Sequence, residues 1–191
     1  MRFQRGEDDA FREIVRRYQG RIVSLAFRYL RSAADAEDMA QEVFLRVHRA
    51  RDSYEPSAKL STWVYRITVN VSLNYLRGRR ARRTVSGELG EREDGGVPDT
   101  ADASAESPPE ALLAEERAAV IARIVEGLPE RQRMAILLNK YQDLGYQEVA
   151  DAMGLSVPAV KSLLTRARVA IREKLEPYLA TGADPTRRSE A

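Results

Sequence analysis

Residues 145–169, GYQEVADAMGLSVPAVKSLLTRARV, decide the reading of this chain. They spell a short helix, a tight turn and a second helix ending in Arg166, Ala167 and Arg168. The first helix turns Val149, Ala150 and Met153 inward. Gly154 then supplies the turn, because a residue without Cβ takes positive φ cheaply. Ser156 is placed to cap the second helix, and Pro158 falls in its first turn, where a missing N–H costs little. Val160, Leu164 and Ala167 share one side of that helix, with Lys161, Thr165, Arg166 and Arg168 elsewhere. This is the layout of a DNA-binding helix-turn-helix, whose second helix enters the major groove.

The rest of the chain reads as helix too. Spacings of three and four place Phe11, Ile14, Val15 and Tyr18 on a first helix starting after Asp8 or Asp9. Ile22, Leu25, Ala26 and Tyr29 mark a second, around 21–30. Met39, Val43, Phe44 and Val47 mark a third, from Asp35 to Ala50. A loop broken by Pro56 follows, and Ser61 is expected to cap a long helix reaching Arg80. Periodicity fails from Thr84 and returns at Pro109. Pro129 opens a further helix expected to bury Ile136, Leu137 and Tyr141. The predicted fold is all-α: two small helical domains, 1–83 and 110–179, joined by a flexible acidic linker at 84–109. A disordered tail is expected over 180–191.

Charge is segregated. The whole chain carries a net +2, yet residues 84–116 hold ten acids against Arg92 alone, a net −9 that leaves +11 for the remainder. Such a distribution suits a polyanionic partner for the basic parts. The absence of cysteine excludes disulfides and thiolate metal sites and fits a reducing cytoplasm. No run approaches the roughly 18 apolar residues of a membrane span, so no membrane insertion is expected.

Enzyme chemistry finds little to build on. His48 is the single histidine, beside Arg49 and Arg51, and reads as a surface residue. No glycine-rich phosphate loop is present. Asp35, Glu37, Asp38 and Glu42 could hold a cation in principle, but carboxylates four apart on a helix more often form a solvated or partner-binding face. Neither a catalytic residue, a metal, a cofactor nor a small-molecule substrate is expected.

Residues 54–83 carry the second chemical constellation. Their helix mixes Trp63, Tyr65 and Tyr75 with Arg66, Arg77, Arg79 and Arg80 and with the amides Asn70 and Asn74. Aromatic faces stack on unpaired bases, arginines hold phosphates, and asparagine hydrogen-bonds base edges. Arg66, Asn70 and Asn74 follow one another at four-residue steps, on one face. Trp63 and Tyr75 could equally be core residues.

Three runs, DAEDMAQEVFLRV (35–47), KLSTWVYRITVNVSLNYLR (59–77) and the segment 128–175, together resemble the sigma-70 family, more narrowly its small extracytoplasmic-function group of bacterial sigma factors. The resemblance implies core RNA polymerase and promoter DNA as partners. It assigns Asp35, Glu37, Asp38, Gln41 and Glu42 to docking on the polymerase β′ clamp. It gives the loop from Tyr54 to Lys59, with Trp63, Arg66, Asn70, Asn74, Arg77, Arg79 and Arg80, to the opened −10 strand. Lys161, Ser162, Thr165, Arg166 and Arg168 would face the −35 duplex, and the second domain would also meet the β flap. Many relatives have Arg where Leu163 stands here. An anti-sigma factor is a further implied partner. The competing reading, a stand-alone helix-turn-helix regulator of duplex operators, would not need residues 35–83.

Overall fold

The computed structural model describes residues 2–55, 59–86 and 108–181, and among them every regular element is helical. The helices are α1 (Asp8–Leu30), α2 (Ala33–Arg49), α3 (Leu60–Ser86), α4 (Pro108–Glu126), α5 (Glu130–Tyr141), α6 (Tyr146–Met153) and α7 (Val157–Thr181). A short 3-10 turn, Arg51–Ser53, follows α2.

Local chemistry sets most boundaries. Asp8 and Asp9 stand in the first turn of α1, where negative charge complements the helix dipole. The helix stops where Arg31 turns left-handed at φ 59° and donates its N–H to the Phe27 carbonyl. Ser32 caps α2 by accepting from the Asp35 N–H at 3.3 Å.

Several expectations need correction. The two helices foreseen over residues 9–30 are one, because Gly20 lies in an exposed turn of continuous helix and has no positive φ. Ser61 is not a cap: α3 starts at Leu60, and the Trp63 N–H already bonds the Lys59 carbonyl. The stretch foreseen as linker yields 84–86 to the end of α3 and 108–109 to the start of α4, and α7 claims 180–181 from the foreseen tail. Residues 87–107 and 182–191 lie outside the described residues. Tyr141, foreseen as core, is 42% exposed.

Each half has its own interior. Ile22, Leu25, Met39, Val43, Val47, Val64 and Tyr65 fill the space among α1, α2 and α3. Ile124, Met134, Leu137, Leu138, Val149 and Leu164 fill that among α4 to α7. The two interiors are continuous, since α5 packs on α1 and α6 on α3.

Polar groups cross that junction. The Tyr65 hydroxyl donates to Gln142 Oε1 at 2.7 Å, and Gln142 Nε2 reaches the Arg21 carbonyl at 3.4 Å. Arg133 lies over the Tyr29 ring and donates to the Tyr29 carbonyl at 3.2 Å. Arg28 covers the half-exposed Tyr141 ring at 4.1 Å. On the stripe of α3 that carries Tyr65, the buried Thr68 and Ser72 hydroxyls bond back to the carbonyls of Val64 and Thr68. Satisfied along their own helix, they present a small, quiet surface.

Candidate nucleic-acid interface

The helix-turn-helix forms as its residues dictate. Gly154 ends α6 at φ 63°, and the Leu155 N–H returns to the Ala150 carbonyl at 2.9 Å. Ser156 Oγ accepts from the Ala159 N–H, capping α7. Val149, Val160, Leu164 and Ala167 are fully buried, and Met153 is partly so. That packing turns Lys161, Ser162, Thr165, Arg166 and Arg168 out to solvent together. Leu163 instead packs against the core, which accounts for an apolar residue there.

Arg168 is held in place. Its guanidinium reaches the Tyr146 hydroxyl at 3.4 Å and Asn139 Oδ1 at 3.3 Å. That hydrogen bond, more than the surrounding positive charge, lowers the Tyr146 hydroxyl below the ordinary tyrosine range. Asn139 in turn donates to the Leu144 carbonyl at 2.9 Å. The recognition helix is thus tied by its polar side to the helices before it. Tyr146 and Asn139 escape sequence reasoning because neither is basic nor periodic.

On α3, Arg66, Asn70, Asn74 and Arg77 are all exposed, while Val64, Tyr65, Thr68, Val69, Val71 and Ser72 are buried. The polar residues therefore form one open stripe running along the helix. The side chains of Arg79 and Arg80 lie outside the described residues, as do 56–58 of the preceding loop.

Tyr54 and Trp63 come together with ring centroids 5.3 Å apart, but Tyr54 is buried, and Trp63 also meets Phe3 edge-on. Gln4 Nε2 donates to the Tyr54 carbonyl at 2.7 Å, so the first residues of the chain pin this loop. Lys59 extends across to the other half and pairs with Glu148 at 2.9 Å. The lysine, and then the Gly145 N–H, hold the Glu148 carboxyl below the usual range.

The acidic residues of α2 separate into two groups. Asp35 is half-buried and accepts from the Tyr75 hydroxyl at 2.5 Å, which places the Tyr75 ring against α2. Glu37, Asp38 and Gln41 point outward, and Glu42 pairs with Arg46 at 2.6 Å. Leu45, 51% exposed, continues the Asp38–Gln41 stripe by one turn. His48 is exposed with its ring edge-on to Phe11, a surface packing role. No group of three or more metal-ligating side chains occurs among the described residues.

A helix-turn-helix at one end of an all-helical fold, with an exposed arginine–amide face on a separate helix, defines the class of DNA-binding proteins. Known proteins make the class specific. Sigma-70 region 2 matches residues 14–82 and Sigma-70, region 4 matches residues 111–171. The RNA polymerase sigma-H factor of Pseudomonas aeruginosa is 37% identical over 181 residues, covering 93% of this chain and 92% of that one. The ECF RNA polymerase sigma-E factor of Escherichia coli K12 is 38% identical over 182 residues, covering 93% of both. Among solved structures, the sigma factor RpoE of Bartonella quintana, in complex with the anti-sigma factor NepR, has the same fold (TM-score 0.71, 20% identity, 87% of this chain and 97% of that one). The chain belongs to the sigma-70 family, in its extracytoplasmic-function group. Its function is that of a sigma factor: directing RNA polymerase to promoters at the start of transcription.

Proposed function

We propose that the exposed stripe Arg66–Asn70–Asn74–Arg77 follows the opened −10 strand, and that α7 reads the −35 duplex through Lys161, Ser162, Thr165 and Arg166. The observation that carries this reading is the outward alignment of four arginine and asparagine side chains on a helix whose Val64, Tyr65, Thr68, Val69, Val71 and Ser72 are buried. Arg66, Asn70 and Asn74 contact base edges; Arg77 holds phosphates, with Arg79 and Arg80 extending the same basic run. Arg168, already tethered, meets the duplex backbone. Tyr54, Lys59 and Trp63 serve the strand upstream of the stripe.

Division of labour follows the domains, 1–83 for polymerase and −10 contacts and 110–179 for the −35 element, with the acidic 84–109 between them and 180–191 beyond. Asp35 positions the docking face through Tyr75, while Glu37, Asp38, Gln41 and Glu42 meet a basic surface of the β′ clamp, and Leu45 adds an apolar contact. An apolar groove of about 460 Å³ among α4, α5 and α7, walled by Val125, Ile136, Ile171 and Leu175, suits a helix of the β flap. The protein acts in the cytoplasm by binding alone, with no covalent step or cofactor, and an anti-sigma factor restrains it, as NepR partners the Bartonella protein.

Open-complex formation with core polymerase on promoters randomised at each element tests the assignment. Asn70→Ala is expected to change preference only at −10. Arg166→Ala is expected to cost about 1–3 kcal/mol at −35. Equal loss at both elements in either variant refutes the division.

A further inference from the structure

Trp63 stands half-buried where α3 begins, and two other segments hold its ring. Tyr54 leans on it with centroids 5.3 Å apart, and Phe3 meets it edge-on at 6.2 Å. We infer that Phe3 and Gln4 are positioning residues for −10 recognition: Phe3 sets the Trp63 ring, and Gln4 sets the Tyr54 main chain. The inference rests on the reading of Tyr54 and Trp63 as strand contacts, and adds two residues that act through them rather than on the DNA.

Residues 2–7 are built as a closed turn. Gly6, at φ 79°, lets the chain reverse where a residue with a Cβ would be strained. Its N–H returns to the Phe3 carbonyl at 3.0 Å, and the Glu7 N–H returns to the Arg2 carbonyl at 3.3 Å. Arg2 and Glu7 then pair across the turn at 2.7 Å. The turn carries Phe3 inward until it is 6% exposed, stacked on Phe11 of α1 at 6.2 Å. Rings with centroids about 4.5–7 Å apart have preferred mutual orientations, so these contacts fix a plane as well as a distance.

Burial alone accounts for Phe3 as a residue of the hydrophobic core. It does not account for Gln4. That half-buried amide commits its donor to the Tyr54 carbonyl at 2.7 Å, 50 residues further along the chain. Tyr54 also donates its own N–H to the Arg51 carbonyl at 3.3 Å, so both of its main-chain polar groups are engaged just past the 3-10 turn. Adjacent residues of one turn thus hold a ring on α3 and the main chain that precedes it. A ring stacks on an unpaired base only in the right plane, and a small misplacement of a binding group carries a large loss. The turn at residues 2–7 is therefore the support that keeps Trp63 and Tyr54 in register for the strand.

The test uses the full chain with core polymerase and compares Gln4→Met, Gln4→Lys, Phe3→Leu and Trp63→Ala. Methionine matches glutamine in length without a donor, whereas lysine keeps N–H donors. Gln4→Met is expected to weaken open-complex formation roughly three- to tenfold and to flatten −10 preference. Its −35 preference and core-polymerase affinity are expected to stay unchanged. Gln4→Lys is expected to recover most of the loss. Phe3→Leu keeps an apolar side chain without a ring and is expected to share the −10 defect. Trp63, the sole tryptophan, reports the geometry without DNA. Acrylamide quenching of its fluorescence is expected to rise in Gln4→Met and Phe3→Leu and to return toward wild type in Gln4→Lys. Circular dichroism, expected to be unaltered, separates these effects from misfolding. If Gln4→Met and Phe3→Leu only lower the urea midpoint and keep wild-type −10 preference, while Trp63→Ala shifts it, the positioning role is overturned and the strand reading stands. If Trp63→Ala also leaves −10 preference unchanged, the strand reading falls and the inference with it. Equal loss in Gln4→Met and Gln4→Lys overturns the hydrogen bond as the cause.

Discussion

Gln142 is the side chain that fastens the two halves, and its removal makes the sharpest stability prediction. It accepts from Tyr65 on α3 and donates to the Arg21 carbonyl on α1, while itself sitting just after α5. Tyr65 is 1% exposed, and burial pushes its phenol above the ordinary range, so the hydroxyl stays a neutral donor. Gln142→Ala leaves the buried O–H without its acceptor, although Arg21 still meets the oxygen, at a cost of about 2–3 kcal/mol. Tyr65→Phe keeps the ring and its edge contact with Tyr18 and removes only the donor, costing about 1 kcal/mol. The double variant loses both polar groups at once and leaves neither orphaned. It should cost about 2 kcal/mol, which gives a coupling of about 1–2 kcal/mol between the sites. Urea unfolding measures this twice. Trp63, the sole tryptophan, reports the α1–α3 half, and far-ultraviolet circular dichroism reports all the helices. The wild-type transitions should coincide, because the halves share one interior. A coupling within about 0.3 kcal/mol of zero would refute the packing argument. So would a Trp63 transition well separated from the helical one.

Two further predictions concern the turn and the junction. Gly154→Ala meets no steric neighbour, yet φ 63° costs a Cβ-bearing residue about 1–2 kcal/mol, so its midpoint in urea should fall while binding by the folded protein persists. The Lys59–Glu148 pair should be insensitive to pH from about 5 to 8. Because the folded Glu148 carboxyl is depressed, its contribution is complete above the unfolded value near 4.5 and fades as pH falls through the folded one. With Lys59 largely exposed, about 0.2–1 kcal/mol is at stake, measurable as a difference between wild type and Glu148→Gln that vanishes in acid.

What the sequence disclosed follows from the range of the forces involved. The helix-turn-helix was legible because a cap, a turn and a core stripe lie within 25 contiguous residues. The arginine–amide stripe was legible because four-residue steps are a helix's own period. Gly20 misled because a glycine's permission to turn is not an obligation, and no neighbouring residue demanded a turn there. Tyr141 misled because a ring at a helical core position can also end up beneath an arginine from another helix. Gln142 meets Tyr65 and Arg21 across 77 and 121 residues, and Arg133 meets Tyr29 across 104, separations at which no periodicity operates.

The junction sets a problem of distance. A compact body of roughly 150–160 residues has a radius of gyration near 15 Å and so measures about 40 Å across. Elements centred near −10 and −35 lie about 25 base pairs apart, roughly 85 Å along B-form DNA at 3.4 Å per pair. One closed body does not touch both. Reading both at once requires the junction to part, breaking the contacts of Gln142, Arg133, Arg28 and Lys59 and uncovering the apolar surface that α5 and α6 share with α1 and α3. From Ser86 to Pro108 the backbone reaches at most about 75 Å when fully drawn out. Once the junction parts, chain connectivity between Ser86 and Pro108 bounds how far apart two elements can lie and still be read by one molecule.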